Sequence, residues 1–232
     1  MEPFWIIWII FGILGIASTI FAYCAAKRRR EAMAAQAGQL GFAYERSNPE
    51  LVRQFAMLGD PFTRGYGRRA DNVLTGTWNG RPAVAFDYSY KTRSSGENAS
   101  THTHHLGIVC VHSGMNMPSL SVLPEGALTR TIGRLRGDDI QLESEDFNRA
   151  FRVTSDNARF ATDVLHPRMM QFLLSHGREG LRLVGGQAIW VHGGRFKPPD
   201  LPPALAYLGA ILDQVPDHVR LSLSGSANPR RG

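Results

Sequence analysis

Residues 4–26 read FWIIWIIFGILGIASTIFAYCAA and carry no charge over 23 positions. At 1.5 Å per residue such a helix reaches about 34 Å, against a bilayer core of about 30 Å. A helix is the expected form, because an exposed backbone finds no hydrogen-bond partner in lipid. Trp5 and Trp8 stand near one end and Tyr23 near the other, where interfacial aromatics belong. A cleaved signal peptide needs a basic leader and a shorter apolar core. Here the flank is Met-Glu-Pro, and Tyr23 before Cys24 is a poor lipoprotein signal. The expectation is a retained, single-pass span.

Lys27, Arg28, Arg29 and Arg30 follow the span directly, and no basic residue precedes it. The positive-inside rule then expects the N-terminus outside and the following domain in the cytoplasm. These four residues are the expected membrane-surface contacts, each gaining on the order of 1 kcal/mol from anionic headgroups. They and Arg230 and Arg231 account for much of the formal charge of +6. Setting these six aside from 26 basic residues, and Glu2 from 20 acidic ones, leaves 20 against 19. A nearly neutral domain lacks the clustered excess that a phosphate backbone requires, so no nucleic acid partner is expected. Two cysteines, Cys24 in the span and Cys110 in a strand pattern, exclude a disulfide framework.

The expected organisation is an anchor at 1–26, a basic juxtamembrane helix at 27–40, a soluble α+β domain at 41–220 and a disordered tail at 221–232. Residues 31–40 are strong helix formers, so the membrane helix should continue to Gly41. Residues 41–45 read as a strand. Residues 49–58 read as a helix with Leu51, Val52, Phe55 and Leu58 on one face. Asn79-Gly80 between 72–78 and 82–90 is the strongest hairpin signal in the chain. Ala85, Asp87 and Ser89 alternate there with Phe86, Tyr88 and Tyr90. Residues 93–100 are a polar connection, 102–112 a third strand and 119–123 a fourth. Short connections make an antiparallel meander the simplest topology. Residues 151–154 form a strand ending at Ser155, an expected N-cap for a helix over 156–165. Pro167 opens another helix with Met169, Met170, Leu173 and Leu174 inward. Residues 181–184 and 188–191 flank Gly185-Gly186 as a second expected hairpin, 198–203 is a stiff linker, and 204–215 a last amphipathic helix stopped by Pro216. The fold class is therefore α+β: an antiparallel sheet packed with helices behind one long N-terminal transmembrane helix.

Several motifs resemble a bacterial family of single-pass membrane proteins, common in high-GC Gram-positive bacteria, that carries a domain of unknown function. They are Phe147-Asn148-Arg149-Ala150-Phe151-Arg152-Val153, then Asp156, Phe160, Leu165, Pro167 and Leu173-Leu174. Pro61-Phe62 before Gly65-Tyr66-Gly67, and the basic block after the span, belong to the same resemblance. It implies an α+β fold at a membrane and carries over no functional residue.

Thr101-His102-Thr103-His104-His105, followed by Cys110 and His112, is the densest set of metal-ligand types. His104 and His112 stand eight residues apart, about 26 Å on an extended strand. Only His102 and His104 can share an ion, and a third ligand must come from elsewhere. The acidic run Asp138, Asp139, Glu143, Glu145 and Asp146 lacks the spaced loop of a calcium site and suits a turn facing Arg134 and Arg136. Gly65-Tyr66-Gly67-Arg68-Arg69 matches no nucleotide fingerprint and suits a turn, with headgroup contact its most plausible phosphate version. No serine sits in a nucleophile elbow, and Cys110 between two valines suits a small buried apolar side chain. Tyr66, Trp78, Tyr88, Tyr90 and Trp190 form a candidate recognition surface, some of them core instead. Asn98-Ala99-Ser100 matches a glycosylation sequon, without meaning in a cytoplasmic bacterial domain. No cofactor is implied and no catalytic residue stands out. The expected function is a cytoplasmic interaction or scaffold module at the bilayer, with a protein partner. The alternatives are a ligand- or lipid-binding sensor, which needs an apolar pocket between sheet and helices, and a metal-dependent hydrolase built on His102 and His104.

Overall fold

The apolar span and the basic stretch form one uninterrupted helix, α1 (Phe4–Leu40). The computed structural model describes residues 4–94, 99–124, 138–176 and 180–225. Within α1, Trp8–Leu40 is long and apolar enough to cross a membrane. Its side chains are exposed from Trp8 to Arg28. Beyond α1, the large exposed apolar side chains among the described residues are Met57, Tyr66 and Leu221. After Arg28 the helix turns inward: Met33 and Ala37 are buried in the domain's core. Gly41, at φ +69°, ends it, and the Phe42 amide closes on the Ala37 carbonyl at 2.8 Å. The stretch expected as a juxtamembrane helix is thus packed as part of the domain.

Strands β1 (Ala43–Ser47), β2 (Tyr66–Trp78), β3 (Arg81–Arg93), β4 (Thr101–Pro124), β5 (Asp138–Asp139), β6 (Phe151–Ser155) and β7 (Leu181–Gly193) form one sheet. Its order is β1-β2-β3-β4-β6-β5, with β7 on β4. All the strand pairs are antiparallel. Asn79 and Gly80 both take positive φ and close the β2–β3 hairpin, as a type I′ turn requires.

The third and fourth expected strands are one strand of 24 residues, β4. A register shift between His112 and Met117, with Gly114 at φ +74°, bends it. Before the bend β3 pairs along one edge; after it β6 does; β7 follows the other edge throughout. Strands β1 to β4 pair consecutively as the expected meander, while the separate fourth strand and the second hairpin are corrected. Residues 181–193 run straight past Gly185-Gly186, because both halves pair with β4 rather than with each other. Gly185, at φ +56°, supplies a bulge opposite Met117. A positive-φ glycine serves a turn or a bulge equally well, and the neighbouring strand decides.

The two sides of the sheet carry separate cores. On one, α2 (Pro49–Ala56) places Leu51 and Phe55 over Phe62, Phe86, Tyr88 and Tyr90. Asn48 caps α2 by accepting the Glu50 and Leu51 amides. On the other lie the inner half of α1 and helices α3 (Glu145–Ala150), α4 (Ala158–Val164), α5 (Pro167–Ser175) and α6 (Leu201–Gln214). Tyr88, Tyr90 and Trp190 are buried, so these three leave the candidate recognition surface.

Three further details differ from expectation. Asn157 caps α4 through the Phe160 amide, while Ser155 is taken by the Ser119 carbonyl across the strand pair. Residues 198–203 are a 3-10 turn (Pro198–Asp200) and the start of α6 rather than a linker, since a first helical turn tolerates proline. A last helix, α7 (Asp217–Gly225), enters the stretch expected as a tail. It is held by buried Val219 and by the Arg220 guanidinium on the Leu212 and Val215 carbonyls. Residues 226–232, Asn98, Arg134 and Arg136 lie outside the described residues.

Tyr88 is fully buried and its hydroxyl donates to the Phe62 carbonyl at 2.9 Å. Burial pushes this phenol up to about 12 from its ordinary 10.0. The unfolded chain loses the proton first, so the stabilisation is complete below pH 10 and fades as pH climbs toward 12. Circular dichroism is expected to show an alkaline unfolding limb in that window, and Tyr88→Phe to shrink it.

Candidate functional site

Just past its apolar run, α1 sends Arg29 onto the polar face of β3. Alternation on β3 puts Phe86 and Tyr88 into the aromatic core and turns Asp87 and Ser89 toward α1. Cross-strand register then builds two polar rows. Asp71, Asp87 and Gly107 form one; Arg69, Ser89 and His105 form the next.

Asp87 is the anchor of this face. Its side chain is 5% exposed and that of Arg29 is 22% exposed. Arg29 Nη2 lies 2.8 Å from both carboxylate oxygens and 2.8 Å from the Phe196 carbonyl. Asn72 Nδ2 donates to the same carboxylate at 2.8 Å, and Tyr44 donates to Asn72 Oδ1 at 2.9 Å. Asn72 holds this place at φ +51°, within a register shift of β2. Asparagine tolerates that conformation better than most residues. Arg29 Nε is buried without a partner.

Gly107 lets the segment after β7 close the site. A Cβ there would stand 2.9 Å from the Phe196 amide nitrogen. Its absence lets residues 194–197 lie on the sheet, where the Gly194 amide donates to the His105 carbonyl at 2.9 Å. This delivers the Phe196 carbonyl to Arg29 and brings Arg195 to the rim.

The result is a cavity of about 170 Å³ that begins at Ala26, the last residue of the apolar run. Arg29, Arg30, Arg46, Arg69 and Arg195 line it, against two carboxylates, Asp71 and Asp87. Arg69 pairs with Asp71 at 3.2 Å and Arg29 with Asp87. Arg30, Arg46 and Arg195 have no hydrogen bond or ion pair among the described residues. Burial, then the nearby Arg195, holds the cavity's His105 below the ordinary imidazole range, while Asp87 and Asp71 pull the other way.

The residues singled out from sequence sit differently. Of the four basic residues after the span, Arg29 is on Asp87 and Arg30 lines the cavity, while Lys27 and Arg28 are exposed on α1. His102 and His104 lie across the sheet from the cavity. His102 Nε2 meets Ser100 Oγ, and His104 stacks on Tyr90 with Nε2 at 2.8 Å from Thr92 Oγ1. No three His, Cys, Asp or Glu among the described residues converge as metal ligands. Glu145 and Asp146 pair with Arg149, and Asp139 with Arg152. Arg68 folds back on the Thr63, Arg64 and Gly65 carbonyls. Cys110 is fully enclosed, donates to Gln187 Oε1 and has its thiol pushed up by burial. A second hollow of about 320 Å³ lies between β7 and α6, lined by Trp190, His192, Tyr207 and His176.

Arg46 and Arg195 escaped sequence reasoning. Arg69 stood in the Gly65-Tyr66-Gly67-Arg68-Arg69 motif, His105 in the histidine cluster and Asp87 on a strand that alternates with aromatics, but nothing in the sequence brought them together.

No family model and no curated protein matches the chain by sequence. Among solved structures, the chain is similar in fold to the crystal structure of the mycobacterial trehalose monomycolate transport factor A, TtfA. The TM-score is 0.57 at 16% identity, covering 82% of this chain and 95% of that one. The likeness is one of fold.

Proposed function

We propose that the protein is a membrane-anchored module that acts by binding, with its N-terminus outside and its domain against the cytoplasmic face. The observation that carries this is the continuity of α1. One helix leaves the apolar span, pairs with Asp87 through Arg29, and buries Met33 within the core. The domain is thereby held at a set height and rotation over the bilayer, which a flexible tether does not provide. Lys27 and Arg28, exposed at the end of the span, meet the headgroups. Such placement suits a partner that is itself in the membrane. The motif resemblance to membrane-anchored proteins of high-GC Gram-positive bacteria supports the same placement. The fold shared with a mycobacterial transport factor supports a role in transport.

Crosslinking in cells, followed by affinity capture from solubilised membranes, tests this. The same integral membrane protein is expected in independent preparations. Recovery of nothing beyond what residues 1–40 alone capture would overturn it. A second reading, binding of a small polar ligand, is favoured by the arginine-lined cavity.

A further inference from the structure

We propose that the cavity at the foot of the span binds a phosphate group, carried by an anionic lipid headgroup or by a small soluble phosphate. This rests on the membrane placement above and names the ligand class of that site.

Three observations carry it. The first is charge. Five guanidinium groups face two carboxylates, and both carboxylates are already paired, which leaves Arg30, Arg46 and Arg195 in excess. Grouping three unmatched cations is unfavourable unless an anion joins them. Arginine forks fit phosphate oxygens well, because their donors are planar and doubled.

The second is height. Arg29 and Arg30 follow Ala26 by three and four residues, about 4.5–6 Å along the helix axis. The headgroup layer extends roughly 5–8 Å beyond the hydrocarbon on each side. Ala26 itself lines the cavity, so its mouth stands at the level of lipid phosphates.

The third is size. About 170 Å³ is below the usual range of roughly 300–1,000 Å³ for small-molecule pockets. It suits a phosphate with a few attached atoms, while acyl chains stay in the bilayer. Several elements fix the walls: α1, β1, β2, β3, β4 and the segment after β7.

The test uses full-length protein in a neutral detergent, where no charged lipid surface competes. Phosphatidylglycerol or phosphatidylcholine is added and bound lipid is counted by native mass spectrometry. In parallel, inorganic phosphate is titrated against the His105 ring signals by NMR. One retained phosphatidylglycerol per protein, weakened roughly tenfold per arginine in Arg46→Gln/Arg195→Gln and kept in Arg159→Gln/Arg168→Gln, exposed arginines that do not line the cavity, identifies a lipid headgroup. A His105 titration that moves upward with inorganic phosphate, without lipid selectivity, identifies a soluble phosphate. Neither response, or selective phosphatidylglycerol retention that is undiminished in Arg46→Gln/Arg195→Gln, overturns the proposal. Both arginines are exposed and unpaired, so this variant is expected to unfold no earlier than the wild type, which a thermal melt checks. Failure here leaves partner capture by crosslinking as a separate result.

Discussion

Asp87→Ala is expected to destabilise the domain by about 2–4 kcal/mol and to release the inner half of α1 from the sheet. Removing one member of a buried ion pair strands the other. Arg29 would keep only the Phe196 carbonyl, and Asn72 would lose its acceptor. Because Arg29 remains 22% exposed, water offsets part of the loss, and the effect falls below that of a wholly buried pair. Urea unfolding of the full-length protein measures the size. Hydrogen exchange locates it, since amides of residues 29–40 should lose protection ahead of β3 and β4. A double-mutant cycle with Arg29→Met should return a coupling energy above about 1 kcal/mol. A cycle that sums to zero, with α1 still protected, would mean that apolar contacts at Met33 and Ala37 alone dock the helix.

Phe86→Ala, at the neighbouring position, should cost more, about 3–5 kcal/mol, and act differently. Phe86 is fully buried and meets Phe55 edge-on at 4.9 Å between ring centroids. Phe55 also meets Phe62 at 5.0 Å, and Phe62 meets Tyr88 at 5.4 Å, so the removed ring supports a chain of others. The cavity would open on the side of the sheet away from α1. Global unfolding should therefore shift strongly while Arg29 stays on Asp87 until the whole domain opens. Selective loss of protection in α1 would show that the two faces are coupled through β3. Two adjacent residues, one aimed at each face, thus separate the stability of the fold from the attachment of the fold to its anchor.

The alternation that makes this comparison clean was legible in the sequence, and so was the Asn79-Gly80 turn beside it. The pairing of Asp87 was not, because its partner lies 58 positions away in a helix that reads as membrane surface. Lys27, Arg28, Arg29 and Arg30 look equivalent as a run. The helix rotates each to a different side, and only the docked sheet distinguishes Arg29. The histidine cluster shows the same gap from the other direction. His102 and His104 drew attention by spacing, yet His105, one residue on and facing the opposite side, is the one in the cavity. Gly185-Gly186 carried a sound local signal for positive φ and an unsound inference of a hairpin, since a bulge needs the same backbone.

By itself, then, the sequence determined the features that depend on short stretches and on solvent: an uncharged run long enough for a bilayer, the side on which charge clusters, the strand alternation and the class of fold. Those follow from transfer of side chains between water, lipid and core, and from backbone preferences within a few residues. Tertiary structure alone decided the length of β4, the strand order, the docking of α1 and the arginine-lined cavity. Each of these is a meeting of segments far apart in the chain, and a near-neutral domain can still gather local charge where six such segments converge.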